Sequence, residues 1–348
     1  MSEGLKVGFI APLSIAAVNG GVRNQVFRTA EGLQKLGVEI IFISPWEHFN
    51  AQDFDLIHLF SAGPETSNIA NLVCKSGAKL IVSPVFFSNR SSSVIQKAIQ
   101  AEKLTKFLGS GIRSDFSIKA DICQLAERVL PNTTAELELI QNGFNLPSKK
   151  LRVIPNGVES RFSEATPELF IKEYGCSDFV LFVGQASASR KNVLGLLEAA
   201  PRINSKLVII GGINDTDEYG KKCLALINQN SNIIHIPTLT HDSDLLASAY
   251  AACNTFVLPS MYETPGIAAL EAGLAGANIA ITERGGTKDY FMDFAEYLNP
   301  KSVENIANAV NTSLSKKKEY SLKKHILEHY TWDKVAEQTL IEYKKVLQ

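Results

Sequence analysis

Residues 255–282 of this 348-residue chain read TFVLPSMYETPGIAALEAGLAGANIAIT. The apolar run Thr255–Leu258 predicts a strand, and Asn278–Ile281 predicts a second strand. The segment between them is nearly all alanine, glycine and apolar residues from Ile267 to Ala275, which predicts a helix that is buried on all sides. A strand, a helix and a strand in this order are typical of a parallel sheet covered by helices.

The same alternation of short apolar runs and helical segments extends in both directions from this stretch, and it predicts an α/β fold with two doubly wound, Rossmann-like domains. Strands are predicted at 7–10, 39–43, 55–60, 79–83, 128–130 and 151–154, and then at 179–183, 207–210, 233–236, 255–258 and 278–281. Helices are predicted at 22–36, 65–75, 92–108, 135–142 and, as a long amphipathic segment, 332–347.

The turn Pro155-Asn156-Gly157 interrupts the first series of elements and marks the division between domains. We therefore expect an N-terminal domain over 1–157 and a second domain that begins at 158. Ligands of such domains bind at the carboxyl ends of the strands, so the expected binding site is the cleft between the domains.

Composition narrows the classes of function. The formal net charge is -1 with 20% charged residues, which gives no basic field for nucleic acid. The five cysteines are scattered without a CxxC pair, as expected of reduced, buried thiols in a cytoplasmic protein. No signal peptide and no apolar run long enough for a membrane span is apparent, so any membrane contact would be peripheral.

The loop after Leu258 carries the strongest chemical signal. Thr264 and Pro265 predict the start of a helix whose N–H groups would bind phosphate, with Glu263 at its mouth. Glu271 lies on the predicted apolar helix, where a carboxylate needs hydrogen-bond donors. Sugar hydroxyls would supply them; the alternative is pairing with a buried cation or backbone donor.

A second candidate site follows the strand 179–183, where Arg190 and Lys191 stand at the predicted start of a helix. The helix dipole disfavours cations there, and a bound diphosphate would reverse this. The alternative is two solvated surface charges. Glycine lets a backbone approach a ligand closely. Gly184 and Gly211-Gly212 follow predicted strands of the second domain, and Gly20-Gly21 follow the first strand of the first domain.

Other motifs are less informative about the function. No GxGxxG follows the first strand, which argues against a dinucleotide oxidoreductase. The triplets Asp53-Phe54-Asp55 and Asp215-Thr216-Asp217 are interpreted as solvated carboxylates, so no metal site is expected. His58, inside an apolar strand, is interpreted as a hydrogen-bonded core residue and not as a base.

Together these features resemble the family-4 retaining glycosyltransferases of the GT-B fold. The segment Glu263–Glu271 is similar to the EX7E motif of that family, and Val153–Val158 is similar to its interdomain segment. The resemblance implies a donor domain over 158–328 and a C-terminal helix, within 329–348, that crosses back onto the first domain.

The resemblance also assigns roles. It implies that Glu263, Gly266 and Ile267 contact the transferred sugar and that Glu271 holds ribose hydroxyls. It further implies that Gly20 and Gly21 approach the donor phosphate, that Lys191 binds the diphosphate, and that transfer retains configuration without a metal or cofactor. Many relatives have an arginine where this chain has Gln185, and Arg190 would take the place of that arginine. Many relatives also have a histidine in the segment that is Ser83–Phe87 here, and this chain has none there.

The expected function is therefore transfer of a hexose from a nucleotide-diphosphate sugar to a glycan or lipid-linked acceptor of cell-surface polysaccharide or lipopolysaccharide synthesis. A nucleotide-sugar-binding pseudoenzyme partner and a sugar-nucleotide epimerase on the same fold remain open. The basic amphipathic stretch 86–119, with Lys97, Lys103 and Lys106, suggests docking on anionic lipid at the inner face of the membrane. A solvated surface helix is the alternative.

Overall fold

The computed structural model describes residues 4–17, 20–107 and 113–348, and the chain divides into two compact units. Unit 1 comprises residues 1–157 and 332–348, and unit 2 comprises residues 158–331. The strands are β1 Lys6–Ile10, β2 Glu39–Phe42, β3 Leu56–Phe60, β4 Leu80–Ser83, β5 Arg128–Val129, β6 Val180–Val183, β7 Leu207–Ile210, β8 Ile233–Ile236, β9 Thr255–Leu258, β10 Asn278–Thr282 and β11 Ala295–Leu298. The helices are α1 Gly21–Lys35, α2 Pro64–Lys75, α3 Ser92–Phe107, α4 Asp115–Leu125, α5 Thr134–Gly143, α6 Glu168–Tyr174, α7 Val193–Ala199, α8 Glu218–Gln229, α9 Asp244–Ala252, α10 Ile267–Leu274, α11 Thr287–Phe291, α12 Val303–Ser315, α13 Tyr320–His329 and α14 Trp332–Leu347.

Unit 1 is built on a parallel sheet with the strand order β2-β1-β3-β4-β5. All residues of β3 and β4 are buried, as expected for strands that have helices on both faces. One core lies on each face. The first of these is closed by α2 to α5, and the second is closed by α1 and α14.

Helix α14 packs against α1, although almost 300 residues separate them in the chain. Trp332, Val335, Ala336 and Tyr343 point into the core of unit 1. Gly32 of α1 allows the close approach, since a Cβ there would stand 2.7 Å from the Cβ of Ala336. The amphipathic spacing thus predicts the helix, and its apolar face covers one side of the first sheet.

Unit 2 has a parallel sheet with the strand order β11-β10-β9-β6-β7-β8. In chain order, β7 and β8 add to one side of β6. The next strands, β9, β10 and β11, add to the other side of β6. The order therefore reverses between β6 and β9, which pair with each other in parallel. Ligands of open α/β sheets bind at such a reversal, beyond the carboxyl ends of the strands.

The predicted fold class is confirmed, while several local predictions are wrong. Residues 151–154 form a single bridge from Leu151 to Val129 and no strand, because β5 has only two residues to pair with and Pro155 follows. The strand β11 and the helix α4 were not predicted, and Cys74 is exposed. Thr133 caps α5 by accepting from the N–H of Glu136, and the carboxylate of Glu136 accepts from the N–H groups of Phe86 and Asn132.

Candidate functional site

The two loops at the point where the strand order of unit 2 reverses contain the charged residues that the sequence predicts for the site. The loop after β6 contains Arg190 and Lys191, and the loop after β9 contains Glu263. A backbone hydrogen bond from Met261 N to Arg190 O, 2.8 Å long, ties the loops together. Since neighbouring parallel strands end at the same edge of a sheet, residues 72 positions apart become direct neighbours.

Glu263 is held in place through its own backbone. It forms an isolated parallel bridge with Gly285, in which Glu263 N donates to Arg284 O and Gly286 N donates to Glu263 O. Gly285 has φ +100°, and a Cβ at this position would lie 2.0 Å from the carbonyl oxygen of Glu263. Only glycine fits this approach. Gly285 therefore allows the loop after β10 to hold the backbone of Glu263 in its extended conformation.

The three charged side chains form one ion-paired cluster. Lys191 Nζ lies 2.7 Å from Glu263 Oε1, and Arg190 Nη1 lies 3.6 Å from the same oxygen. Only 8% of the Glu263 side chain is exposed, whereas 40% of the Arg190 side chain is. Arg190 also donates to Tyr262 O and lies over the Tyr262 ring. The two cations are therefore paired within the protein and are not simply solvated surface charges.

A pocket of about 630 Å³ adjoins the cluster at the ends of β6 and β7. Gly184, Gly211 and Gly212 line it, and an added Cβ on Gly211 would meet Gly184 O at 2.0 Å. Lys191 lies close to the pocket, because a Cβ added to Gly184 would be 4.0 Å from the Cε atom of Lys191. The other lining residues are Val183, Gln185, Ser187, Ala188, Ile210, Thr238 and Leu239.

The predicted helix start at Thr264 and Pro265 is wrong. Helix α10 begins at Ile267, and its N-cap is Gly266 with φ 86° and ψ 62°. The bridge of Glu263 to Gly285 keeps the preceding backbone extended, and left-handed Gly266 then turns the chain into the helix. Thr264 and Pro265 consequently form a bend between Glu263 and the amides at the start of α10.

Glu271 is buried on α10 and already has two protein donors. His241 Nε2 lies 2.7 Å from Glu271 Oε1, and the hydroxyl of Tyr250 donates to Glu271 Oε2 over 2.9 Å. Burial, together with the neighbouring Glu271, raises the pKa of Tyr250 well above its ordinary value, so this phenol remains a donor. The expectation that buried Glu271 needs hydrogen-bond donors is correct, and protein groups supply part of that need.

Sequence reasoning missed His241 and its neighbours. His241 lies in the loop between β8 and α9, and its Nδ1 lies 3.4 Å from Glu159 Oε1. The hydrogen bond to Glu271 raises the pKa of His241, and both carboxylates add to this effect against its partial burial and the charge of Arg161. Its position after a strand, at the same edge as the glycine loops, was the available signal.

The remaining predicted residues lie in unit 1. Gly20 is the N-cap of α1, and Gly21 begins that helix. His58 is buried and contacts Tyr343 Oη at 2.6 Å and Ser83 Oγ at 2.9 Å, which confirms that it is a hydrogen-bonded core residue. Burial lowers the pKa of His58 to about 3. In the segment Ser83–Phe87, which lacks the histidine of many relatives, Val85 has a left-handed backbone with φ 52°.

The acidic triplets have local structural roles. Asp55 accepts from the N–H of Lys6, Asn50 donates to Asp53, and Asp217 caps α8 through the N–H of Gly220. Across residues 4–17, 20–107 and 113–348, no group of three or more His, Cys, Asp or Glu side chains could hold a metal ion.

The basic stretch 86–119 folds mainly into α3 and the start of α4. Ile95 and Ile99 face the core, whereas Val94, Lys97, Lys103 and Leu104 are exposed. Arg113 pairs with Asp121, and Lys119 pairs with Asp115. Leu108 lies outside the described residues, as do the side chains of Lys106 and Phe107. Within the part of the chain that the structure describes, no helix has the length and apolar content needed to cross a bilayer.

Comparison with known proteins relates part of the chain to a family of glycosyltransferases. Residues 171–326 match the family model described as "Glycosyl transferases group 1", a region that contains the ion-paired cluster, the pocket and Glu271. An uncharacterised glycosyltransferase of Methanocaldococcus jannaschii is 30% identical over 220 residues, which are 58% of this chain and 55% of that protein. The match thus spans little more than half of that relative.

Solved structures extend the likeness to the whole chain. A glycosyltransferase of Rickettsia africae superimposes with a TM-score of 0.76 and 16% identity, over 100% of both chains. Anabaena HepE, solved in complex with UDP and glucose, superimposes with a TM-score of 0.67 and 15% identity, over 98% of this chain and 100% of that one. At these identities the likeness shows the fold, which is GT-B.

Proposed function

We propose that this chain, whose residues 171–326 belong to the group 1 glycosyl transferases of the family-4 type, transfers a hexose from a nucleotide-diphosphate sugar to an acceptor. The observation that carries the proposal is the cluster of Arg190, Lys191 and Glu263 beside a glycine-lined pocket at the strand reversal. Cations and close backbone suit a diphosphate, whereas a dedicated acid and base pair is not part of this cluster.

The donor would lie along the edge of the second sheet. Its diphosphate would contact Lys191, Arg190 and the backbone of Gly184, Gly211 and Gly212. Its sugar would contact Glu263 and the amides of Gly266 and Ile267, and its ribose would contact Glu271. Binding of the donor would draw Lys191 from Glu263 toward phosphate, and the released carboxylate would then accept hydrogen bonds from the sugar.

Catalysis in this proposal is electrostatic. The cations stabilise the charge that develops on the leaving diphosphate, and a phosphate oxygen accepts the acceptor's proton, so no protein base is required. Transfer occurs with retention and needs neither metal nor cofactor. The acceptor is a glycan or lipid-linked saccharide of a surface polysaccharide or lipopolysaccharide, reached by peripheral contact of 86–119 with anionic membrane at the cytoplasmic face. UDP bound to Anabaena HepE supports the donor class only by analogy of fold.

A panel of UDP-, GDP- and TDP-sugars tests the proposal, with the melting temperature and the fate of the donor measured for each. We expect at least one donor to raise the melting temperature and to be slowly hydrolysed or transferred, with the same rate in EDTA. Binding without turnover would instead support the pseudoenzyme, and an epimerised donor would support the epimerase. No thermal shift with any of the donors would reject the proposal.

The variant Glu271→Gln separates the two ends of the donor. It should raise KM about tenfold or more while it changes kcat little, because the ribose contact is made equally in the ground and transition states. Glu263→Gln is the comparison and should mainly lower kcat. The opposite partition would overturn the assignment of the two glutamates.

A further inference from the structure

His241 joins two carboxylates that come from separate elements of unit 2. Its Nε2 lies 2.7 Å from Glu271 Oε1 on α10, and its Nδ1 lies 3.4 Å from Glu159 Oε1, just before the 3-10 turn Ser160–Glu164. A neutral imidazole has one N–H, so it can donate to only one of them. The imidazolium suits both contacts, because it donates from Nε2 to Glu271 and carries the positive charge that pairs Nδ1 with Glu159.

The charges around His241 support the same protonation state. The ionisable groups that face it are Glu271, Glu159, Arg161 and, through Glu271, Tyr250. Arg161 approaches Glu159 at 3.3 Å and donates to the carbonyl oxygen of His241. Two carboxylates and one guanidinium leave a single negative charge, which a protonated His241 neutralises.

The cluster lies at the end of the loop that lines the pocket. Thr238 and Leu239 line the pocket, and His241 follows two residues later with 43% of its side chain exposed. The donors His241 and Tyr250 each occupy one oxygen of Glu271. Each carboxylate oxygen has two acceptor sites, so Glu271 keeps one further site on each oxygen. Two neighbouring hydroxyl groups match this remaining capacity.

We propose that His241 is a positioning residue for the nucleoside end of the donor, whose imidazolium holds Glu271 so that both of its oxygens accept from the vicinal hydroxyls of a ribose. This inference rests on the function proposed above and adds a residue that the EX7E resemblance does not include. When His241 loses its proton, the ion pair with Glu159 ends, and only an uncharged N–H remains to hold Glu271.

Nucleotide affinity should therefore depend on pH in a defined direction. The pKa of His241 is raised above its ordinary value, so the imidazolium persists to higher pH than that of a free histidine and is lost as the pH rises further. Affinity for the ribonucleotide should fall roughly fivefold over that rise, because an uncharged N–H holds the Glu271 carboxylate less strongly than an imidazolium does. Pyrophosphate, which has no ribose, should show no such loss.

The test is calorimetric titration of UDP, GDP and TDP between pH 6 and 9, with pyrophosphate and the 2′,3′-dideoxy form of the tightest ribonucleotide as controls. His241→Gln keeps an amide donor but cannot titrate, so its affinity for the ribonucleotide should lose the pH dependence that is specific to ribose. Glu159→Gln removes one carboxylate from His241 and should move the midpoint to lower pH, an effect that a merely structural role would not produce.

An unchanged pH profile in His241→Gln, or equal profiles for ribose and dideoxyribose nucleotides, would overturn the role of His241 while nucleotide binding itself remained. If no nucleotide binds at any pH, the proposed function fails and this inference fails with it. Histidine ring NMR of the unmodified protein provides a second measurement. A His241 signal that titrates below the ordinary histidine range would also reject the assignment.

Discussion

At the scale of single residues, the candidate site is defined by the pairing of Glu263 with Lys191 and Arg190. The sequence singled out Glu263, Lys191 and Arg190 from separate segments, each with its own expected ligand. The fold instead pairs them with one another, because the loops after β6 and β9 meet at the strand reversal. A local pattern contains no information about a partner 72 residues away. The contacts of His241 with Glu271 and Glu159 likewise join distant segments of the chain.

His58 shows where a local pattern did suffice. It lies within a wholly buried strand, so a charged imidazole would be costly there and a hydrogen-bonded neutral ring is the stable form. Tyr343 and Ser83 provide the two contacts.

We predict that unit 1 loses stability below pH 6.5 because of His58. Its pKa is about 3 in the folded chain and 6.5 as its ordinary value, so in acid the unfolded chain binds a proton that the folded chain excludes. The loss is about 2 kcal/mol at pH 5 and grows until the pH reaches the folded value. Urea unfolding at pH 7.5 and pH 5 measures it, with His58→Gln as the variant that cannot titrate. Equal losses in the two proteins would contradict the prediction.

At the scale of elements, most bounds followed from apolar periodicity, and the exceptions have conformational causes. Strand β7 and helix α14 have the bounds that their patterns indicate. Helix α10 begins later than expected because Gly266 is left-handed and Glu263 is extended. Thr and Pro are good helix starters in isolation, and a tertiary contact from Gly285 overrides that preference.

The contact between Gly285 and Glu263 predicts unequal effects of two similar substitutions. Gly285 has φ +100° and Gly276 has φ +95°, but only at Gly285 would a Cβ meet another atom, Glu263 O at 2.0 Å. Gly276→Ala should therefore cost about 1–2 kcal/mol for its backbone conformation alone. Gly285→Ala should cost at least ~1 kcal/mol more, and it should also weaken donor binding.

Urea unfolding and donor titration of both alanine variants measure the difference. Gly276 lies between α10 and β10, away from the contact, so it is a control for the backbone cost. Equal stability and equal donor affinity in the two variants would show that the close approach of Gly285 does not hold Glu263.

At the scale of the whole molecule, the two doubly wound units were predictable from alternating strands and helices. Most strands are short and apolar, and they alternate with helical segments, which is the pattern of such units. The amphipathic spacing of 332–347 indicated a helix but not its neighbour. Only the resemblance to a family suggested that it returns to the first domain, and in the structure it belongs to unit 1.

The contact of α1 with α14 predicts a compensating pair of substitutions. Alanine is a better helix former than glycine by about 1 kcal/mol, yet Gly32→Ala should destabilise unit 1 because its Cβ would meet the Ala336 Cβ at 2.7 Å. Ala336→Gly removes that methyl group, so the double variant should be more stable than the sum of the single effects. A double-mutant cycle in urea measures this coupling, and strict additivity would count against the close packing.

The place of α14 has a consequence for synthesis on the ribosome. Residues 158–331 emerge before residues 332–348, so all of unit 2 is available to fold while unit 1 still lacks its last helix. Until then the apolar face of α1 that bears Val26, Ala30 and Leu33 has no cover from Trp332 and Tyr343. The half that begins first is thus completed last, and the nascent chain exposes the apolar face of α1 until α14 packs on it.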